Sequence, residues 1–233
     1  VTGEALNLTK LDIKGLGKAK YILKEGGTLG DLYTTSNLRF NDNGYVEVDK
    51  NGNLLMTDEG EDIYLGSVFP NHNLAWRNDF SYKGINLGVL FTARLGGVCY
   101  SATQANLDLY GVSEASAAAR DAGGVLINGR EMVDAQKWYQ AIGSQSGLPQ
   151  YYLYSATNVR LQELSLGYTF PRKWFRNKLG LTVSFVGRNL WMIYCKAPFD
   201  PEAVASTGLN YQGIDYFMMP SMRNLGFNVK FQF

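Results

Sequence analysis

Few residues of this chain have the types and spacing that catalysis or metal binding requires. The sequence has a single histidine, His72, and no Ser or Cys near it lies in a nucleophile-elbow context, so a catalytic triad has no base beside a nucleophile. The two cysteines, Cys99 and Cys195, are far apart and form no C-x-x-C pattern, whereas a metal site needs three or four ligands. We therefore predict a protein that is not an enzyme and that uses no metal and no cofactor.

Two pairs of carboxylates have the composition of the acid and base of a glycosidase. They are Glu59 with Glu61, and Asp200 with Glu202. Both pairs lie in loops rich in turn-forming residues, which favours solvated acids over a catalytic pair. We therefore predict that all four carboxylates are solvated loop acids.

A calcium site near Asp49 is a further possibility from spacing alone. Asp49, Asn51 and Asn53 share the opening spacing of a calcium-binding loop. The twelfth position of such a loop is Gly60 here, whereas a bidentate Glu is required there. The mismatch favours an ordinary β-turn, although the sequence by itself leaves calcium binding near Asp49 open.

The composition excludes several classes of protein. Lys and Arg total 22 against 21 for Asp and Glu, and a net charge of +1 gives no basic excess for binding nucleic acid. Hydrophobic residues make up 45% of the chain, yet mean hydropathy is −0.17 and no apolar run reaches the about 18 residues of a membrane-spanning helix. The abundance of Tyr (15), Phe (12), Trp (4) and Gly (26), with only 6 Pro, favours β-structure.

Alternation of apolar and polar residues is the main structural signal. It is strongest at the C-terminus, where one face of a strand carries Leu225, Phe227, Val229, Phe231 and Phe233. The same pattern elsewhere predicts antiparallel strands, each paired with its neighbours in sequence, over 74–82, 85–96, 156–170, 180–191 and 222–233.

Two local features refine this prediction. The Lys83-Gly84 link is short enough to join the first two strands as a hairpin. Within the third strand, the apolar residues shift from odd-numbered to even-numbered positions. A shift of one residue inside a strand predicts a bulge near Gln162-Glu163.

The connections between the strands differ in length. The turns Lys83-Gly84 and Pro171–Gly180 are short, whereas the loops 97–149 and 195–220 are long and fall at the opposite ends of the strands. Long loops on one side, short turns on the other and strands of about ten residues are typical of outer-membrane β-barrels.

The remaining segments have weaker patterns. The long loop is predicted to hold two small helices, over Glu114–Ala122 and Val133–Ile142, with Ser113 as the N-cap of the first. Residues 1–66 are predicted to form an irregular region of short strands and loops.

Aromatic side chains in the long loop are the remaining candidates for substrate contact. Trp138, Tyr139, Tyr151 and Tyr152 could stack on sugars or peptides. The alternative is structural: Tyr151 and Tyr152 would belong to an aromatic girdle at a membrane interface, and Trp138 and Tyr139 to the internal packing of the loop.

Several stretches occur in order along nearly the whole chain. They are GGTLGDLY (26–33), LGSVFPNHNLAWRNDFSYKGINLGVLFTARLGG (65–97), ATNVRLQELSLGYTFP (156–171), GRNLW (187–191), DPE (200–202) and MPSMRNLGFNVKFQF (219–233). Together they resemble the C-terminal barrel segment of the SusC/RagA family of TonB-dependent transporters.

The resemblance implies an all-β fold: part of a 22-stranded antiparallel transmembrane barrel in the outer membrane of a Gram-negative bacterium of the Bacteroidetes, with short helices in an extracellular loop. The implied activity is import of oligosaccharides or peptides with a SusD-like surface lipoprotein. The implied partners also include outer-membrane lipid and the TonB complex. The resemblance further makes the final strand the barrel-closing element and Phe233 an insertion signal.

The chain departs from the family pattern by what it does not contain. No stretch resembles the N-terminal plug or the TonB box, so we expect the last portion of a longer transporter, with barrel strands within 67–233. Two other functions stay open: a soluble β-sandwich that binds carbohydrate, and a small self-contained outer-membrane barrel. Solubility without detergent distinguishes the sandwich from the membrane proteins.

Overall fold

The computed structural model describes residues 10–16, 18–57, 60–205 and 212–233, with side chains from Lys18 onward. Its strands are β1 (Lys10–Leu16), β2 (Ala19–Lys24), β3 (Asp31–Thr34), β4 (Asn37–Leu38), β5 (Met56–Thr57), β6 (Ile63–Ser67), β7 (His72–Tyr82), β8 (Ile85–Leu95), β9 (Val98–Ser101), β10 (Val125–Ile127), β11 (Glu131–Val133), β12 (Leu153–Ser155), β13 (Asn158–Phe170), β14 (Gly180–Cys195), β15 (Ile214–Asp215) and β16 (Asn224–Gln232). The α-helices are α1 (Ala102–Leu109), α2 (Glu114–Asp121) and α3 (Ala135–Gly143), and Pro149–Tyr152 and Arg172–Phe175 are 3₁₀ turns. Among the described residues, no helix is both long enough and apolar enough to span a membrane.

The described residues divide into two compact units. The sheet unit comprises 70–97, 155–203 and 219–233, and the loop unit draws on the ranges 1–69, 98–154 and 204–218. The chain therefore leaves the sheet unit twice and returns to it each time.

The sheet unit is one five-stranded antiparallel sheet in the order β7-β8-β13-β14-β16. Strands that follow one another within the unit are neighbours in space, so the five predicted strands and their pairing are confirmed. In the part of the chain that the structure describes, β7 and β16 each have one partner, and the sheet is open at both edges. The fold is mostly β-structure, with helices confined to the loop unit and one 3₁₀ turn in the sheet unit.

The predicted hairpin turn is present between β7 and β8. Tyr82 pairs with Ile85, and the two turn residues both have positive φ, 48° at Lys83 and 88° at Gly84. A two-residue turn of this handedness matches the right-handed twist of the flanking strands. Gly84 is required here for a second reason, because a Cβ would lie 2.7 Å from the Thr169 carbonyl oxygen.

The predicted bulge is also confirmed. On both neighbours of β13 the register shifts between Leu161 and Glu163, which leaves Gln162 outside the regular pairing. The shift keeps the apolar residues on one face although their numbering changes from odd to even. On the facing strand β14, Asn189 lies within the same irregularity with a φ of 52°.

In its described residues, the loop unit combines short sheets and three helices, and α1 and α3 contribute to a hydrophobic core shared with the strands. The sheets are β1-β2-β3-β6, β4-β5, β10-β11 and β12-β9-β15, the last with a parallel pair between β9 and β15. The largest fully buried apolar side chains of the core include Tyr21, Leu32, Val68, Leu148 and Ile214. Segments far apart in sequence thus supply one core, and residues 18–57 and 60–67 contain short strands joined by loops.

The two predicted helices correspond to α2 and α3. Ser113 caps α2 as predicted, since its hydroxyl accepts the Ser116 N–H at 3.0 Å. Helix α1 was not predicted. It begins at Ala102, directly after strand β9, and its N-cap is Ser101, whose hydroxyl accepts the Gln104 N–H at 3.1 Å.

The predicted β-turn at Asp49 is confirmed. The Asp49 carboxylate accepts the N–H groups of Asn51 and Asn53 at 2.7 and 2.8 Å, and the Gly52 N–H donates to the Asp49 carbonyl at 3.0 Å. The hydrogen bonds from Asn53 lower the pKa of Asp49. The carboxylate thus has local partners within its own turn. Glu59, one member of a predicted carboxylate pair, lies outside the described residues.

Candidate functional site

One face of the five-stranded sheet is apolar across its whole width. Because the strands are in register, apolar side chains form rows that cross every strand. Two of these rows are Tyr82, Ile85, Tyr168, Val183 and Val229, and Phe80, Leu87, Leu166, Phe185 and Phe227. Many of these side chains are exposed, with Phe227 at 81%. An exposed apolar face of this extent is typical of a surface that contacts lipid or protein.

The opposite face of the same sheet carries connected polar groups. The Ser81 hydroxyl donates to Asn86 at 2.9 Å, and the Asn86 amide donates to the Thr169 hydroxyl at 2.9 Å. Thr169 and Thr182 follow with their hydroxyl oxygens 3.1 Å apart. This polar ladder runs across β7, β8, β13 and β14, so the alternation in sequence separates two chemically different faces.

Charged residues extend the polar face toward the middle of the strands. Glu163 on β13 accepts from the Arg188 guanidinium at 3.0 Å, and an Arg77 nitrogen lies 3.6 Å from its other oxygen. Arg77 also donates to Asp79 at 2.9 Å. The face therefore presents paired charges of both signs.

Trp and Tyr side chains lie in both halves of the apolar face. In the half nearer the long loops 97–149 and 195–220, Trp76 stacks on Phe91 with ring centroids 5.6 Å apart, and Trp191 is exposed. In the other half, Phe170 packs edge-on against Tyr168 at 5.0 Å and lies 5.8 Å from Trp174. Amphipathic rings at both ends of an apolar band are typical of membrane interfaces.

A buried ion pair lies at the end of the sheet where the chain enters the two long loops, 97–149 and 195–220. The Arg160 guanidinium donates to both carboxylate oxygens of Asp200, one of them at 3.1 Å, and to the Ser221 hydroxyl at 3.1 Å. The side chains of Arg160 and Asp200 are 3% and 7% exposed. Two amide oxygens also accept from Arg160: that of Asn158 from Nε at 3.1 Å, and that of Asn189. We call this group the Arg160 node; its members are Asn158, Arg160, Asn189, Asp200 and Ser221.

The node corrects one prediction from the sequence. Asp200 is not a solvated loop acid, because it is buried against Arg160, whereas Glu202 is more exposed. Burial alone would raise the pKa of Asp200, but hydrogen bonds from Arg160, Ser221 and the Glu202 N–H outweigh it and lower the pKa to about 2. A carboxylate held ionised in this way serves as an anchor for Arg160.

No local signal in the sequence pairs Arg160 with Asp200. Their contact depends on the register shift of β13 and on the backbone irregularity of β14 at Asn189, whose amide donates to the Ser221 hydroxyl at 2.8 Å. A charged residue between two apolar neighbours, Val159 and Leu161, is the one hint that the sequence offers.

The four aromatic candidates, two in the long loop and two just after it, do not form one surface. Trp138 on α3 contacts Tyr151 edge-on, with ring centroids 5.9 Å apart, and Tyr151 is exposed. Tyr152 is 2% exposed and belongs to the core of the loop unit. Tyr139 lines a separate cleft of about 360 Å³ together with Asp108. Burial and the nearby Asp108 carboxylate raise the pKa of Tyr139.

Four of the five predicted assembly residues lie on the edge strand β16, and Phe233 follows it directly. This strand pairs with β14, and its apolar residues face the same side of the sheet. All five are exposed: Leu225, Phe227, Val229, Phe231 and Phe233.

Comparisons with known proteins agree with the motifs found in the sequence. The chain is 26% identical over 198 residues to the TonB-dependent receptor P3 of Formosa agariphila, a match that covers 80% of this chain and 19% of the receptor. It thus spans about a fifth of the length of that curated relative. No protein-family model matches the chain.

Solved structures share the fold. One is the RagAB peptide transporter, with a TM-score of 0.54 and 17% identity, covering 97% of this chain and 24% of that one. Another is the RagAB peptide importer in the 'open-open' state, with a TM-score of 0.50 and 15% identity, covering 95% of this chain and 27% of that one. In motifs, sequence match and fold, the chain is thus similar to a segment of SusC/RagA-like TonB-dependent transporters.

Proposed function

We propose that this chain forms part of the wall of an outer-membrane β-barrel in a TonB-dependent transporter. The two-faced sheet is the observation that carries the proposal: apolar rows on one face and a hydrogen-bonded polar ladder on the other. In a transmembrane barrel, the first face contacts lipid and the second lines the lumen. The role of the chain is therefore transport and not catalysis.

The loop lengths support an orientation in the membrane. The Lys83-Gly84 turn lies beside Thr169, at the same end of the sheet as the 171–179 turn, since the Thr169 N–H donates to the Gly84 carbonyl at 2.7 Å. Both long loops, 97–149 and 195–220, begin at the opposite end. Outer-membrane barrels keep short turns in the periplasm and long loops outside the cell. The two long loops are accordingly extracellular.

Substrate and partners follow from the family. The transporter would import oligosaccharides or peptides with a SusD-like surface lipoprotein, and would couple to TonB through a part of the protein outside this sequence. The structural neighbours are a peptide transporter and a peptide importer, which keeps peptides beside oligosaccharides as the substrate class. Among the aromatic candidates, Tyr151 is exposed and is the first choice for substrate contact. Trp138 and Tyr139 are half-buried and pack against the core of the loop unit, and Tyr152 lies within that core.

The last strand is proposed to close the barrel. Strand β16 has an open edge in the described part of the chain, and its exposed apolar face is suited to lipid. An edge strand of this kind avoids aggregation when another strand pairs with it. The role of Phe233 as an insertion signal comes from the family resemblance.

A pair of adjacent cysteine substitutions tests which face meets lipid. In the full-length protein with Cys99 and Cys195 replaced by Ser, Ser165→Cys places a thiol on the polar face and Leu166→Cys places one on the apolar face. In outer-membrane vesicles, a membrane-impermeant maleimide should label position 165, and a lipid-soluble maleimide should label position 166. Equal labelling of both positions by the aqueous reagent would refute the proposed barrel wall.

The same preparation distinguishes the alternatives. A soluble β-sandwich predicts that the protein is recovered without detergent. A small self-contained barrel predicts that residues 1–233 alone refold in detergent to a heat-modifiable form. The transporter proposal predicts neither outcome, because the edges at β7 and β16 need further strands.

A further inference from the structure

The first segment that leaves the sheet unit, which we call the first excursion, has its two ends joined by hydrogen bonds. The chain leaves after Gly97 and returns at 155, where the Ala156 N–H donates to the Gly97 carbonyl at 2.9 Å. A second bond joins the same two points, since the Gly96 N–H donates to the Thr157 hydroxyl at 2.9 Å. We call these four residues base 1.

The two ends of the second segment that leaves the sheet unit, the second excursion, are also joined by hydrogen bonds, here through side chains. Asp200 lies just before this segment and Ser221 just after it. The Ser221 hydroxyl and N–H both donate to Asp200 Oδ2, the N–H at 3.4 Å. The Glu202 N–H donates to Asp200 Oδ1 at 3.0 Å. We call Asp200, Glu202 and Ser221 base 2.

Two buried side chains connect the two bases. The Asn158 amide nitrogen donates to the Ala156 carbonyl at 3.2 Å, and its oxygen accepts the Arg160 Nε–H at 3.1 Å. Arg160 in turn donates to both oxygens of Asp200. Asn158 and Arg160 are 1% and 2% exposed. Gly97, Ala156, Asn158, Arg160 and Asp200 thus form one continuous path of hydrogen bonds with little access to water.

We propose that Asn158 and Arg160 couple the two bases, so that opening of base 2 loosens base 1. The physical reason is that the two buried side chains together have partners in both bases: the Asn158 amide also donates to the Glu202 carboxylate at 3.3 Å, and that carboxylate lies 3.4 Å from an Arg160 nitrogen. When Asp200 releases Arg160, the buried guanidinium keeps only the more exposed Glu202 carboxylate as a counter-ion. A shift of Arg160 toward Glu202 moves the Asn158 side chain bonded to it, which then releases the Ala156 carbonyl. A disturbance of one long loop therefore reaches the base of the other through two side chains. This inference rests on the geometry of the sheet unit and not on the proposed transport activity.

Hydrogen–deuterium exchange on the full-length protein in detergent tests the coupling. In Asp200→Asn, peptides containing the Gly96 and Ala156 amides should exchange roughly threefold faster or more, as expected for residues in one hydrogen-bonded network. Glu163→Gln is the matched control, because it makes the same chemical change on the polar face away from the node. It should leave both amides unchanged.

A second background makes the test specific for the proposed path. Asn158→Leu removes the connection between Arg160 and the Ala156 carbonyl but leaves the Arg160–Asp200 pair. Adding Asp200→Asn to this variant should therefore cause no further increase in the exchange rates of the Gly96 and Ala156 amides. The double variant Arg160→Met/Asp200→Leu removes both buried charges and provides a folded comparison if Asp200→Asn does not fold; it should accelerate exchange at both bases. Faster exchange at Ser221 with unchanged exchange at Gly96 and Ala156, in any folded variant, would overturn the coupling. Equal acceleration by Asp200→Asn with and without Asn158 would overturn it as well.

Discussion

Replacing Phe227 by Arg should strongly destabilise the full-length protein in a membrane. Phe227 lies in an interior row of the apolar face, is 81% exposed and packs against Phe185 with ring centroids 5.5 Å apart. A cation at the middle of a lipid-facing strand costs about 2–4 kcal/mol. Loss of the ring pair adds about 0.5–1.5 kcal/mol. We therefore expect a loss of roughly 3–5 kcal/mol in the free energy of unfolding.

The neighbouring Asn228→Arg is the matched control, because the same charge then lies on the polar face. Its cost should stay within about 0.5 kcal/mol, as for ordinary surface substitutions. Urea titration of both variants in lipid vesicles, followed by the heat-modifiable band on gels, measures the difference. An equal cost at the two positions would show that the apolar face does not meet lipid.

Three further predictions concern the final strand, the ion pair and the loops. Replacing Phe231 and Phe233 by Asp should lower the amount of folded protein in outer-membrane fractions, at a cost on the order of 1–3 kcal/mol, and normal levels would show that β16 is not the closing strand. Asp200 has a folded-state pKa of about 2 against an ordinary value of 3.8, so its contribution to stability is present above about pH 4 and is lost as the pH falls toward 2. Urea midpoints should accordingly fall more steeply over that range in the wild type than in Asp200→Asn, and parallel curves would contradict the ion-pair assignment. Protease added to intact cells should cut within 97–149, and cleavage confined to 171–180 would reverse the proposed orientation.

Much of the sheet could be predicted from the sequence because its signals are local. Alternation places every second residue of a strand on one face, so the apolar face of each strand and its approximate bounds follow from residue types alone. The bulge near Gln162 was predictable for the same reason, since a one-residue shift of the pattern needs a one-residue irregularity. The turn at Lys83-Gly84 follows from its length.

The candidate site was less accessible to sequence reasoning. Alternation identifies Arg160 as a polar-face residue, but its partner Asp200 lies in a loop with no periodic pattern. Only the folded loop brings the two together, and the result is a buried anchor where a solvated acid was predicted. Helix α1 was missed because strand β9 leads directly into it at Ser101, without a separating turn.

The sequence by itself determined the two-faced character of the strands, the hairpin, the bulge and two of the helices, because each depends on residues close together along the chain. Only the tertiary structure decided which of the aromatic side chains are exposed and so available for substrate contact. Tyr151 is exposed and Tyr152 is buried, although they are neighbours, because the core of the loop unit is assembled from three separate ranges of the chain. The same holds for the Arg160 node, whose members come from β13, β14 and the two ends of a long loop. Burial and ion pairing depend on contacts between distant segments, and no pattern within one segment records them.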